Sequence, residues 1–330
     1  MFIIESYSSA VVFCFVTMLC WGTWANTQKL NSNNWRFELF YWDYVWGIVL
    51  FTFLLGITLG SNGDHGRPFF SDLQQASLDN LQSAFIGGII FNAANILLSA
   101  AIAIAGMSVA FPVGIGLALV IGVIVNYLDA PVGNAFMLFT GVACIAAAIG
   151  LNAYAFRQQS STQKASAKGL ILSVISGSMM GLFYKYVANS MATDFMDPAI
   201  YKLTPYSALF IFSLGILVSN FIFNSVLMRV PIVGVPLRAS DYFKGSLKNH
   251  LIGILGGSIW SLGMSLSILA SEKAGPAISY GLGQGATVVA AIWGIYVWKE
   301  FKSAPQLVHR LLQFMLALYV NGLLLIILAR

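Results

Sequence analysis

Long apolar runs alternate with short polar connections along almost the whole chain. Each run has about 20 residues, the length that an α-helix needs to cross the ~30 Å hydrocarbon layer of a bilayer. Because backbone polar groups in lipid must be satisfied within the segment, the runs predict helices rather than strands. We therefore predict ten membrane helices, at residues 8–28, 39–60, 83–105, 108–128, 133–156, 168–190, 205–228, 248–270, 275–298 and 308–329.

Part of this pattern occurs twice. A shift of 169 residues places Gly87–Tyr127 on Gly256–Tyr296, and glycines and aromatic residues coincide, as Phe91 does with Trp260. Internal repeats of this kind are common in membrane transporters. With five helices per half, the second half begins on the other side of the membrane. The predicted fold is therefore an all-α integral membrane protein with ten transmembrane helices in two inverted five-helix repeats: residues 1–156, a cytoplasmic linker at 157–167, and residues 168–330.

The basic residues predict the orientation. Most of the 17 Lys and Arg residues lie in the connections after predicted helices 1, 5, 7 and 9. Short loops rich in Lys and Arg stay in the cytoplasm, so both termini are expected outside. The first apolar run is preceded by Glu5 and by no basic residue, which favours a membrane helix over a signal peptide.

Composition excludes several classes. Hydrophobic residues make up 58% of the chain and charged residues 9%, against about 25% charged in soluble domains. The net charge of +5 is spread over loops, so we expect no nucleic-acid partner. Cys14, Cys20 and Cys144 lie in apolar runs without the spacing of metal ligands. Nucleotide-binding and hydrolase motifs are missing, so we expect no enzyme and no cofactor, with energy from a proton or other ion gradient.

Neutral polar side chains recur within the predicted helices. Gly88, Asn92, Asn95 and Ser99 have spacings of four, three and four, which places them on one helix face. Amides at mid-membrane are costly unless they meet a partner or a solute, whereas small residues at such spacings also serve helix packing. The candidates for a central substrate site are Trp24, Asn26, Asn92, Asn95, Trp260, Tyr280 and Gln284.

Charged residues inside predicted helices are fewer. Asp43 lies about one turn inside the second helix, where a carboxylate can bind and release a proton as its surroundings alternate between wet and dry. We predict it as the proton carrier, with Glu38 as a second candidate that also fits an interfacial carboxylate. Lys185 is a candidate anchor for the solute or counter-charge for Asp43, although a lysine near a helix end often snorkels. His250, like the other two histidines, is placed at a helix edge or loop, outside the site.

Four short motifs resemble the ureide permease family: Trp21–Trp24, Asp43 with Tyr44, Asn126–Asp129 and Pro231–Arg238. The resemblance implies the drug/metabolite transporter fold, a relation to glucose/ribose-type sugar porters, and a central cavity. It also implies proton-linked uptake of small neutral solutes such as allantoin and uracil. Plant members of the family it resembles have a long central cytoplasmic loop, whereas the corresponding connection here, Arg157–Lys168, is short. This compact form suggests a bacterial inner-membrane protein.

The sequence thus predicts a secondary active transporter that takes up a ureide, a nucleobase or a sugar by alternating access with proton symport. A glucose/ribose-type sugar porter, a passive channel and a metabolite or drug exporter stay open as alternatives. The expected partners are a small-molecule solute and the lipid bilayer, and a homodimer is left open.

Overall fold

The computed structural model describes residues 1–31, 35–105, 107–159, 167–232, 234–297 and 304–330. The described chain is built of helices, whose bounds follow the apolar runs: α1 Tyr7–Thr23, α2 Ala25–Leu30, α3 Phe37–Ile57, α4 Phe69–Gln75, α5 Leu78–Ala105, α6 Met107–Asp129, α7 Ala135–Gln159, α8 Ala167–Ser190, α9 Pro205–Arg229, α10 Ala239–Tyr242, α11 Leu247–Ala274, α12 Pro276–Gly283, α13 Ala286–Ile292, a π-helical turn Trp293–Val297, and α14 Gln306–Leu328.

Within the described ranges, nine helical spans are long and apolar enough to cross a membrane. The predicted helix at 108–128 corresponds to α6, which is not one of these nine spans. Most of the predicted linker, residues 160–166, lies outside the described residues, as do residues 298–303 of the connection before α14.

The helices pack in matching pairs. When the helices of the two predicted halves are numbered in parallel, three large contacts have a counterpart with the halves exchanged. These are α5 on α8 with α11 on α1, α3 on α11 with α9 on α5, and α6 on α8 with α13 on α1. Three further pairs, α3 with α9, α6 with α12, and α7 with α14, join a helix to its own counterpart.

Glycines make the closest crossings possible. A Cβ atom on Gly257 would collide with the Tyr44 carbonyl oxygen, and one on Gly47 with the Ile254 carbonyl oxygen, where α11 crosses α3. The matching crossing of α5 and α9 is built in the same way, with Gly88 against Phe212 and Gly215 against Phe85. Without side chains at these positions the helix backbones pack directly against each other.

Two membrane spans are broken near the middle of the bundle. The first changes from α1 to α2 at Trp24, and the span predicted at 275–298 is divided at Gln284–Gly285 into α12 and α13. The Gly285 amide donates to the Leu282 carbonyl three residues earlier, as in a 3₁₀ turn. The Gly283–Gln284–Gly285 sequence explains the break, because glycine is a poor helix former.

The two ends of the bundle differ. We call the end with the loop before α3 and the α9–α11 connection the basic end, and the end with the α3–α5 and α8–α9 connections the opposite end. At the opposite end, Arg67 pairs with the fully buried carboxylate of Asp72 at 2.7 Å. Asp72 also accepts a hydrogen bond from the Thr204 amide at 2.7 Å, and Arg67 donates to the Pro198 carbonyl. These bonds tie the two connections of this end together.

Candidate functional site

A cavity of about 100 Å³ lies where both broken spans meet the centre of the bundle. Its walls come from the α1–α2 break, α5, α6, α8, α11 and the α12–α13 break. None of the described side chains that line it is charged. They are Trp21, Trp24, Phe91, Asn95, Leu98, Ile115, Met180, Phe183, Trp260, Gln284, Ala286, Thr287 and Ala290.

Aromatic rings form much of the wall. The rings of Trp21 and Trp260 are stacked with centroids 6.1 Å apart, and Phe91 lies 4.4 Å from Trp260. The Trp21 indole N–H donates to the Trp260 carbonyl oxygen at 3.2 Å, which holds α1 against α11. Flat apolar faces at this spacing can stack against a planar ring.

Two amides supply the polar part of the wall. Nδ2 of Asn95 donates to the Tyr41 hydroxyl at 3.1 Å, and that hydroxyl donates to Oδ1 of Asn92 at 2.9 Å. The side-chain amide of Gln284 has no hydrogen-bond partner among the described residues, although only 7% of the residue is exposed. Because this amide faces the cavity, its donor and its acceptor are available to a solute that both accepts and donates hydrogen bonds.

The cavity continues into a wider vestibule at the basic end. This vestibule has a volume of about 420 Å³ and shares Trp24, Asn95 and Leu98 with the cavity. Its mouth carries Arg36 and Glu38, which are paired with each other. The central site therefore has a route to the basic end.

Towards the opposite end, the cavity is backed by packed aromatic side chains. Phe183 lies 5.2 Å from Phe91 and 6.3 Å from Tyr280, and Tyr184 lies 5.2 Å from Tyr280. Tyr184 and Tyr280 are fully buried. The Tyr280 hydroxyl donates to the Met180 carbonyl oxygen at 3.1 Å. These rings separate the cavity from the pocket that Asp129 and Lys202 line at the opposite end.

The structure divides the predicted substrate residues into two groups. Trp24, Asn95, Trp260 and Gln284 line the cavity. The other four do not line it. Asn92 bonds Ser219 and the Ile216 carbonyl on α9, and Tyr280 lies behind the wall. Asn26 donates to the Thr23 carbonyl, and Lys185 pairs with Asp129 at 2.9 Å. The substrate-binding role of all eight stays a prediction.

Asp43 lies near the basic end in a site that the sequence only partly indicated. Its carboxylate is almost fully buried and accepts hydrogen bonds from the Tyr242 hydroxyl and from Nδ1 of His250, the latter at 2.9 and 3.0 Å to its two oxygens. Burial and the hydrogen bond to Asp43 raise the pKa of Tyr242, so its hydroxyl stays protonated and donates. His250 is thus a partner of Asp43 rather than an isolated loop histidine. Glu38, the second proton-coupling candidate, pairs with Arg36.

Apolar membrane spans around a central, uncharged cavity are typical of membrane transport proteins. A sequence model of the ureide permease family matches residues 40–168 and 155–329. The chain therefore belongs to the ureide permease family, and it is a membrane transport protein rather than an enzyme.

Relatives match over most of their length. Ureide permease 1 of Arabidopsis thaliana is 23% identical, with 97% of this chain and 96% of that protein covered. Ureide permease 3 of the same plant is 24% identical over 83% of this chain and 88% of that protein. The probable ureide permease A3 of Vigna unguiculata is 22% identical over 83% and 91%. A solved crystal structure shares the fold, with a TM-score of 0.64 at 14% identity and 96% of each chain covered.

These relatives refine the sequence-based expectations. They are plant proteins, so they give no support to the expected bacterial origin. They are ureide permeases, so the glucose/ribose-type sugar porter is not favoured. The orientation of the termini and the drug/metabolite transporter placement stay predictions.

Proposed function

We propose that this chain is a secondary active transporter that takes up a small, neutral, nitrogen-rich ring solute, either a ureide or a nucleobase, by alternating access coupled to protons. The observation that carries the proposal is the uncharged cavity with aromatic walls into which the unpartnered amide of Gln284 points. Membership of the ureide permease family supports the same solute class.

The cavity favours one small flat ring. At about 100 Å³ the cavity alone is smaller than the ~150 Å³ cavity that accepts benzene, so a ring solute would extend into the adjoining vestibule. The rings of Trp21 and Trp260 offer faces for stacking, while Asn95 and Gln284 offer donors and acceptors. An uncharged wall favours a neutral solute, because a charge without a counter-charge is costly to bury.

The proposed mechanism has ten helices in two inverted repeats, with α6 as the tenth membrane helix. The matched packing pairs and the matched glycine crossings support this arrangement. Two such halves can rock about a central site and open it to one side at a time. The vestibule lies at the basic end, which is the cytoplasmic end in the predicted orientation, so in this proposal the structure corresponds to an inward-facing state of the cycle.

Proton coupling is proposed at Asp43. This carboxylate lies in a membrane span on the first half, and its two partners come from α10 and α11 on the second. Binding or loss of a proton at this contact would change how strongly the halves are held together at the basic end.

A thermal-shift screen of the purified protein tests the solute class. Allantoin and uracil at about 100 times their Kd are expected to stabilise the folded state by about 2.7 kcal/mol, seen as a higher Tm, with glucose and ribose as comparison solutes. A Tm that rises with a sugar and with neither allantoin nor uracil would contradict the proposed solute class.

A further inference from the structure

The contact between Asp43 and His250 defines the position of a coupling proton more closely than an isolated carboxylate would. Nδ1 of His250 lies 2.9 Å from one carboxylate oxygen of Asp43 and 3.0 Å from the other. An ionised carboxylate can only accept hydrogen bonds, so Nδ1 carries a hydrogen and the basic lone pair of the neutral ring is on Nε2. A proton that arrives at this site therefore has a defined position to bind.

The surroundings of the imidazole suit a cation. The ring centroids of Trp35 and Tyr242 lie 5.2 and 4.7 Å from that of His250, in edge contacts with interplanar angles of 83° and 65° that hold the imidazole in place. The Asp43 side chain is 2% exposed and supplies the counter-charge, whereas that of His250 is 23% exposed. Nε2 of His250 faces Gly245, because a Cβ atom built on Gly245 would lie 2.6 Å from Nε2. The imidazole is thus the more accessible member of the pair, while the carboxylate stays covered.

Other charged groups near this contact have partners of their own. On α3, Glu38 is held by Arg36, one and a half turns before Asp43. In the α9–α11 connection, Asp241 is paired with Lys244 at 2.6 Å. The groups that act directly on Asp43 are Tyr242 on α10 and His250 on α11.

We propose that His250 is the residue that binds the coupling proton, on Nε2, and that Asp43 stays ionised as its counter-ion while Tyr242 positions the carboxylate. The inference rests on the proposed transport function and relocates the proton from Asp43 to its partner. On protonation, the neutral Nδ1–H hydrogen bond becomes an ion pair, and charge-assisted hydrogen bonds are about twice as strong as neutral ones. Because α3 lies in the first predicted half and α11 in the second, a proton strengthens the junction of the halves at the basic end.

Nuclear magnetic resonance of the imidazole ring tests the proton site without any solute. In the protein with His65→Gln and His309→Gln, His250 is the sole histidine of the chain. As the pH is lowered over the range in which the protein stays folded, the Nε2 signal is expected to change from unprotonated to protonated, while the Nδ1–H signal persists. With Asp43→Leu, which removes the acceptor, the persistent Nδ1–H signal is expected to be lost. An Nε2 signal that stays constant over this range would overturn the proposal.

Proteoliposomes test the coupling. Solute exchange at equal pH is compared with accumulation under an imposed pH gradient for the wild type and for His250→Asn, whose amide can still donate to Asp43. In His250→Asn, gradient-driven accumulation is expected to fall at least tenfold more than exchange does. The control His309→Asn, at an exposed position on α14, is expected to change neither accumulation nor exchange. Undiminished gradient-driven accumulation by His250→Asn overturns the assignment. A wild type that exchanges no ureide or nucleobase overturns the transport function instead, and the ring titration still decides whether His250 binds the proton.

Discussion

The Tyr41 hydroxyl on α3 accepts a hydrogen bond from Nδ2 of Asn95 on α5, at 3.1 Å, and this bond orients the amide that lines the cavity. The same hydroxyl donates to Oδ1 of Asn92, whose Nδ2 donates to Ser219 on α9 at 2.9 Å. A continuous chain of hydrogen bonds therefore runs from the cavity wall to the crossing of α5 and α9. Asn92 supports the site through this chain without touching the cavity.

Tyr41→Phe tests this chain. The substitution keeps the ring but removes the hydroxyl, so Asn95 loses the bond that orients it. A lost hydrogen bond of about 1 kcal/mol corresponds to a solute affinity about fivefold weaker. Binding is measured by titration of the purified protein with allantoin or uracil. An unchanged Kd would show that the orientation of Asn95 does not matter for binding.

Gln284→Leu tests the unpartnered amide. The variant keeps a side chain of similar size and removes the donor and acceptor, so the KM for uptake is expected to rise about three- to tenfold. Asn321→Leu is the matched control, because Asn321 is exposed on α14 and bonds the Ala317 carbonyl of its own helix. Equal effects of the two substitutions would contradict a specific contact between Gln284 and the solute.

Gly257→Ala tests the backbone crossing of α3 and α11. The added methyl group meets the Tyr44 carbonyl, and overpacking of this kind costs about 1–3 kcal/mol. The Tm in detergent is expected to fall. Gly150→Ala is the control, since its Cβ would meet nothing within 4 Å and alanine is a better helix former. If both variants had the same Tm as the wild type, the close crossing would be refuted.

Arg67→Gln tests the closure of the opposite end. It leaves the buried Asp72 carboxylate without its cation, and loss of one partner of a buried pair costs about 3 kcal/mol. In a background without native cysteines, a cysteine reporter at the cavity position, Ala286→Cys, is expected to react faster with a thiol reagent added from the opposite end. Lys244→Gln, which removes an exposed ion pair, is the control and is expected to leave the rate unchanged. Equal rates in all three proteins would mean that the Arg67–Asp72 pair does not close this end.

The membrane helices could be predicted from the sequence because the length of an apolar run is set by the thickness of the bilayer. The break at Gln284–Gly285 was not predicted, since the apolar run continues on both sides of it. It depends on the low helix propensity of the neighbouring glycines and on packing around the cavity. The two-repeat arrangement stays a prediction, because hydropathy alone does not determine which helices are in contact.

The candidate site was predictable only in part. Asn92 and Asn95 are three positions apart, which is about 60° around a helix, and this is enough to turn Asn92 towards α9 while Asn95 faces the cavity. The partnership of Asp43 with His250 depends on two residues that are 207 positions apart and meet at a helix crossing. No spacing rule within one segment can reveal such a contact, so the histidine was assigned to the edge of its helix.

Solute counterflow in proteoliposomes tests the central claim most directly, because it needs no ion gradient. Vesicles that contain the wild-type protein and are loaded with unlabelled allantoin or uracil are expected to take up the labelled solute transiently above the level of empty vesicles. Gln284→Leu is expected to require a several-fold higher solute concentration for the same exchange. A ureide or nucleobase site in this cavity would be contradicted if the wild-type protein exchanged neither solute. It would also be contradicted if Gln284→Leu exchanged both solutes as well as the wild type does.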